Sequence, residues 1–187
     1  PADLVHAEVY LCMRVFLCRF ASQHLTGFWP IILTEMVRIL AQAKVDLPAD
    51  KSDRLQLVFS VVKLADFLIT LQTDDFQIHQ WLLITDTPDA TNPASSYMAD
   101  SLLDCLAKFV SECQRELVFD ANDSLERAQQ RRPLLQMSSV ATISTLQPFF
   151  ATASRAFYQC DFHATLDWDN INACLLHDLF EPIHTNT

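Results

Sequence analysis

Two Cys-x-x-His pairs, Cys160 with His163 and Cys174 with His177, lie within the stretch "CDFHATLDWDNINACLLH". Thiolates and imidazoles are ligands that zinc takes in tetrahedral sets of four, and the spacing inside each pair suits one ion. Convergence decides whether they can act together. At about 100° per residue along a helix, Trp168, Ile171, Leu175 and Leu179 share an apolar face, and His177 points away from it. Cys160 instead falls in line with Phe149, Ala153, Ala156 and Phe157, a core stripe. A four-ligand site would draw one pair from an inner face and the other from an outer one. The stretch therefore reads as a helix end, a turn and a helix start, with Asp167 or Asp169 as the cap and Trp168 as the anchor of the last helix. No metal site and no cofactor are expected, and a small zinc-containing helical binding domain on Cys160, His163, Cys174 and His177 is the alternative reading.

Other chemistry finds less support. No Ser or Cys stands on a glycine turn that could present it beside amide donors, and Cys12 and Cys18 sit in a dense apolar helix. The carboxylate pairs Asp74 with Asp75 and Asp167 with Asp169 fall at expected helix N-termini, where the macrodipole favours negative charge without acid–base work. The chain reads as non-enzymatic. The single basic cluster, "RAQQRRP", places Arg127, Arg131 and Arg132 in a polar loop that fits either solvent or an anionic lipid headgroup or acidic partner surface.

The elements that must hold these residues are helical. The 187 residues include one glycine, Gly27, and 13 Phe, while only 19% are charged. Hairpins and phosphate-cradling loops need glycine where the backbone turns left-handed or meets a ligand, so β and α/β architectures are disfavoured. The expected fold is all-α, a helical bundle or α-solenoid segment of the HEAT or armadillo kind, in one domain over residues 1–187. A formal charge of −10 argues against nucleic acid as a partner, because phosphate binding needs clustered Lys and Arg. The opening stretch carries Asp3, His6, Glu8, Arg14 and Arg19 and does not read as a signal peptide, and a reducing cytosolic setting is expected, with the cysteines as small core residues.

Residues 3–21 carry apolar positions on so many sides that burial on two faces, as a central element, is expected. Trp29 and Pro30 mark an interhelical turn, with Pro30 in the first turn of a helix whose apolar positions are Ile31, Met36, Ile39 and Leu40. Phe28 and Trp29 read as a staple closing that turn. Ser52 or Asp53 caps the third helix, in which Leu57, Val61, Leu64, Leu68 and Leu71 recur at zipper spacing. That stripe fits burial inside a bundle first and self-association second, since it covers little more than two heptads. A shorter helix, "TDDFQIHQWLLI", follows, capped by Thr73 or Asp74. After a loop at 85–96, a fifth helix lines up Met98, Leu102, Leu106, Phe109, Cys113 and Leu117. A polar, irregular stretch near 118–137 precedes two last helical blocks, the first restarting at Pro148. Residues 133–154 lack charge but hold too many hydroxyls, amides and prolines to cross a bilayer.

Two blocks carry a resemblance. "LCMRVFLCRFASQHLTGFWPIILTEMVRIL", residues 11–40, strongly resembles the C-terminal region of the Dopey family in its Arg-Val helix, its His-Leu-Thr, its Trp-Pro step and its Thr-Glu helix. "VKLADFLITLQTDDFQIHQWLLI", residues 62–84, is similar to a second block of that family, with a Lys-x-x-Asp core. The resemblance implies a segment of a very large cytosolic scaffold, peripheral on Golgi and endosomal membranes, that serves vesicle transport and is not an enzyme. It implies a Sec7-related armadillo-type scaffold and a phospholipid flippase complex as partners. It further implies links to phosphoinositides and kinesin light chain, and self-association that would map to the Leu57–Leu71 stripe as a homodimer.

Overall fold

A computed structural model describes residues 2–79, 83, 102–113, 131–159 and 164–180. The helices are α1 (Ala2–Arg19), α2 (Trp29–Val45), α3 (Asp53–Leu71), α4 (Asp74–Gln77), α5 (Leu102–Cys113), α6 (Gln147–Gln159) and α7 (Trp168–Phe180), so the all-α expectation holds. Among the described residues extended pairing is limited to an isolated parallel bridge between Arg131 and Leu166, and no helix is long and apolar enough to cross a membrane.

The central element is α3, not α1. Fifteen consecutive-patterned positions of α3 are buried, from Leu55 to Thr70, including all of Leu57 to Thr70. Such all-round apolarity is what a helix enclosed on every side requires. It packs against α1 and α2, while α5 bridges α2 and α6, and α7 lies on α1. By contrast α1 buries Ala7, Tyr10, Leu11, Arg14 and Leu17 and leaves Val5, Val9, Phe16 and the following Phe20 in solvent. Its many apolar positions thus supply one inner face and one outer face.

Local signals fix the ends. Ser52 caps α3 by accepting the Leu55 amide at 3.2 Å, and Gln72 closes it in the left-handed region at φ 50. Pro30 falls in the first turn of α2, behind two short 3-10 turns at Ser22–His24 and Thr26–Phe28. Trp29, the first residue of α2, is buried in the core and Phe28, its cap residue, is exposed, so the two do not close the turn together as the expected staple. The inner face of α2 is Leu33, Met36, Ile39, Leu40 and Ala43, with Ile31 outside it. The fourth helix is a single turn, and Thr73 takes its cap position without a side-chain hydrogen bond. In α5 the buried face is Leu103, Leu106 and Val110, rotated from the expected stripe. A 3-10 turn at Ile143–Leu146 leads into α6, with Pro148 in its first turn as expected.

The C-terminal helix corrects the sequence reading most. Asp167 caps it, accepting the Asn170 amide at 3.0 Å. Its buried face is Ile171, Cys174 and Leu175, and Trp168 and Leu179 are about half exposed, so Trp168 is not the anchor. The apolar positions of this helix exceed what one contact face can cover, and the face that wins is the one carrying Asp178. The cysteines divide likewise: Cys174 is buried, whereas Cys12 is exposed and Cys18 and Cys105 are intermediate, so a core role holds for only part of the set. The 85–96 loop, Met98, Leu117, Cys160, His163 and Arg127 lie outside the described residues.

From Arg131 onward the polar stretch is a strap laid antiparallel along α3. The Leu135 amide donates to Asp66 at 2.8 Å, Lys63 donates to the Met137 carbonyl at 2.6 Å, and Gln56 donates to the Val140 carbonyl at 2.7 Å. The Lys51 amide reaches the Ala141 carbonyl at 2.9 Å. A segment without regular structure must find such partners for its buried backbone groups, and α3 supplies them.

Candidate functional site

Buried charge, rather than the cysteines, forms the concentrated chemistry of the described structure. Lys63 and Asp66 stand three residues apart on α3, and that spacing puts both on one face of the helix. Arg14 reaches the same place from α1, and Asp178 from the last turn of α7. Lys63 Nζ lies 2.6 Å from both Asp178 oxygens, and Arg14 Nη1 donates to Asp178 Oδ2. The side chains of Arg14, Lys63 and Asp178 are at most 6% exposed. The Arg14 guanidinium also sits 5.5 Å from the centroid of the Phe67 ring, and the Lys63 ammonium 5.4 Å from that of Phe59. Aromatic faces offer a desolvated cation part of what water would have given it.

One carboxylate therefore answers two cations, and Asp66 supplies the second negative group beside them. Burial raises the Asp66 carboxyl to about 6, against the backbone amides of Leu135 and Leu134 and the charges of Lys63 and Arg14, which pull it down. Lys63 is lowered by burial, with Asp178 acting in the opposite sense. Two polar atoms remain without partners, Arg14 Nε and Asp66 Oδ1. Each ion carries a desolvation penalty of several kcal/mol, so such a group persists only where its members satisfy one another. The arrangement joins α1, α3, the strap and α7, segments as far apart as 164 residues in the chain. Its chemistry is structural clasping and carboxylate recognition by paired cations, since every charged member is turned inward.

The zinc alternative gains nothing from this geometry. Cys174 is buried, its thiol 3.7 Å from Asn170 Oδ1 and its pKa raised by burial, while His177, one turn further on, is exposed. Among the described residues no group of three or more His, Cys, Asp or Glu is placed to hold a metal ion. The zipper-spaced residues Leu57, Val61, Leu64 and Leu68 all lie in the core of the chain itself, and Leu71 packs against it. Arg131 is held in the strap, its Nε donating to the Ala164 carbonyl at 3.1 Å, and Arg132 beside it is exposed. Trp29 packs in the core with its indole nitrogen lacking a partner.

The clasp escaped the sequence reading, although a signal was available. Lys63 and Asp66 interrupt a run, "LVFSVVKLADFLITL", that has no polar face for them to share. Charges in such a run are buried, and buried charges require partners. Arg14 carries the same signal more weakly in α1. Asp178 carries none, because "LLHDLF" reads as an ordinary helix end.

The outer face of α1 is the second feature of note. Val5, Val9, Cys12, Phe16 and Phe20 are exposed in one line, and Phe16 and Phe20 meet edge to face with ring centroids 5.2 Å apart. An apolar line of this length on a surface marks a contact surface more often than a solvated one.

A family model described as DOP1 C-terminal matches residues 1–162. The chain is 27% identical to Protein DOP1B of Mus musculus over 189 residues, which covers 83% of this chain and 8% of that protein. It is 25% identical to Protein DOP1B of Xenopus laevis over 183 residues, covering 81% of this chain and 8% of the relative. With Protein dop1 of Emericella nidulans the identity is 31% over 107 residues, 56% of this chain and 6% of the relative. The chain thus spans less than a tenth of the length of these relatives. No solved structure matches.

Proposed function

The chain belongs to the DOP1 C-terminal family, and on that premise we propose that it is a non-enzymatic protein-interaction and dimerisation module of a scaffold for vesicle transport between endosomes and Golgi. The scaffold is peripheral on those membranes, with a Sec7-related armadillo-type protein and a phospholipid flippase complex as partners. Those partners and that location rest on family membership alone.

The observation that carries the interaction role is the outer face of α1. The zipper-spaced stripe of α3 is enclosed in the chain's own core, so it offers no surface. The α1 line does, and a second copy is the occupant its pattern favours. Reversing the helix leaves the line nearly unchanged: Val5 answers Phe20, Val9 answers Phe16 and Cys12 answers itself. A two-fold contact requires such self-complementarity. Antiparallel pairing also brings Glu8, exposed on the flank of that line, towards Arg19 at the end of the partner helix. Light scattering across a concentration series tests it. Wild-type protein should approach the mass of two chains, and the variant Val9→Asp with Phe16→Asp should stay at one. A wild-type mass of one chain at every concentration would remove the dimer.

A further inference from the structure

We propose that α7 is a releasable latch, seated by Asp178 on the paired cations Arg14 and Lys63, and that lifting it exposes a seat for a carboxylate-bearing apolar helix of a protein partner.

The packing separates α7 from the rest. Its buried residues Ile171, Cys174 and Leu175 form a small cluster with Leu11 and Phe67, distinct from the main core that holds α2, α5, α6 and most of α3. Beyond that cluster, α7 is tied down by polar contacts to α1 and α3: Asp178 on Arg14 and Lys63, and Asn172 accepting from Arg19 at 2.8 Å. Elements with few apolar contacts open at lower free energy than the core they lie on.

The position of Asp178 sharpens the point. It stands two residues before the end of α7, where the helix macrodipole disfavours a negative charge. Without the two cations this carboxylate would loosen the helix end, so the clasp is a switchable bond rather than part of a uniform core. The cations, in contrast, stay with the bundle, because Lys63 is bonded to the Met137 carbonyl and flanked by Phe59, and Arg14 is stacked on Phe67. With α7 lifted they would keep their places in a groove walled by Leu11 and Phe67, with Arg14 Nε already lacking a partner.

The chemistry of a replacement can be read from the present occupant. It is a helix with apolar residues at Ile171, Cys174 and Leu175 and a carboxylate one turn further on at Asp178. A partner helix with that pattern would compete for the groove, and the chain's own α7 holds it closed at the high effective concentration of an intramolecular contact. This regulation does not depend on the transport role.

Hydrogen exchange on the full chain, compared for wild type, Asp178→Asn and Ile171→Ala, tests the latch. Both variants should speed exchange in residues 168–180 by about tenfold or more while α3 stays protected. A labelled peptide of sequence 166–180 then probes the seat, and should bind either variant about tenfold more tightly than wild type. The same peptide carrying Asp178→Asn should bind neither. Unchanged exchange in α7, or equal loss of protection in α3 and α7, would overturn the latch. Local opening without peptide binding, or binding indifferent to the peptide's own carboxylate, would overturn the seat.

Discussion

Lys63 and Asp178, 115 residues apart in the chain, meet with the ammonium 2.6 Å from both carboxylate oxygens, inside a structure whose other helix contacts are mainly apolar. That pair, with Arg14, fixes α7 against α1 and α3.

Removing one member of a buried ionic group leaves the others uncompensated, which costs about 3–5 kcal/mol. Lys63→Met should therefore lose about that much stability by urea denaturation, since Asp178 would keep only Arg14. The double variant Lys63→Met with Asp178→Leu should recover part of the loss. A double variant as unstable as the sum of its singles would show that the two residues act separately.

Asp66 gives a pH signature. Its folded carboxyl is raised from 3.8 to about 6, chiefly by burial, so the folded state holds the proton more tightly than the unfolded chain. Its contribution to stability is then greatest below the unfolded value and is lost as pH rises through the folded one. Between about pH 7 and pH 5 acidification should add roughly 1 kcal/mol from this residue. The groups facing it are Lys63, Arg14 and Cys174, with the Leu134 and Leu135 amides. Thermal melts of wild type and Asp66→Asn should differ by this slope, and parallel pH profiles would contradict it.

Capping offers a local check on helix assignment. Ser52→Ala removes the acceptor for the Leu55 amide and should cost about 1 kcal/mol, while Ser52→Gly should cost only a few tenths. Equal losses would point to a packing role for the Ser52 side chain.

Chelation addresses the cysteine–histidine pairs. Cys174 is packed in the small core cluster with Leu11 and Phe67 while His177 is exposed, so EDTA should leave the melting temperature unchanged, and Cys174→Ser should act through the core alone. A fall in melting temperature on chelation, restored by zinc, would revive the metal reading.

How much of this was legible in the sequence follows from what each signal depends on. The helical class came from one glycine and the recurrence of apolar residues, and caps such as Ser52 and Asp167 came from local chemistry. Facing directions were less readable. Where a helix carries more apolar residues than one contact can cover, as in α1 and α7, periodicity names two faces and only tertiary packing chooses between them. So periodicity puts Trp168 and Ile31 inside, where the packing leaves them exposed, and points to α1 as the centre that α3 occupies. The clasp was half legible, in the isolated Lys63 and Asp66. Asp178, the residue that completes it, depends on a contact between segments that no local pattern encodes.

The interaction role turns on whether α1 faces a second α1. A short bismaleimide added to dilute protein reports this directly, because antiparallel pairing brings Cys12 of the two chains together at the middle of the contact. Rapid formation of a two-chain product, abolished by Cys12→Ser and by Val9→Asp with Phe16→Asp, is the predicted result. A product that persists without Cys12, or none at concentrations where the chain is folded, would contradict it.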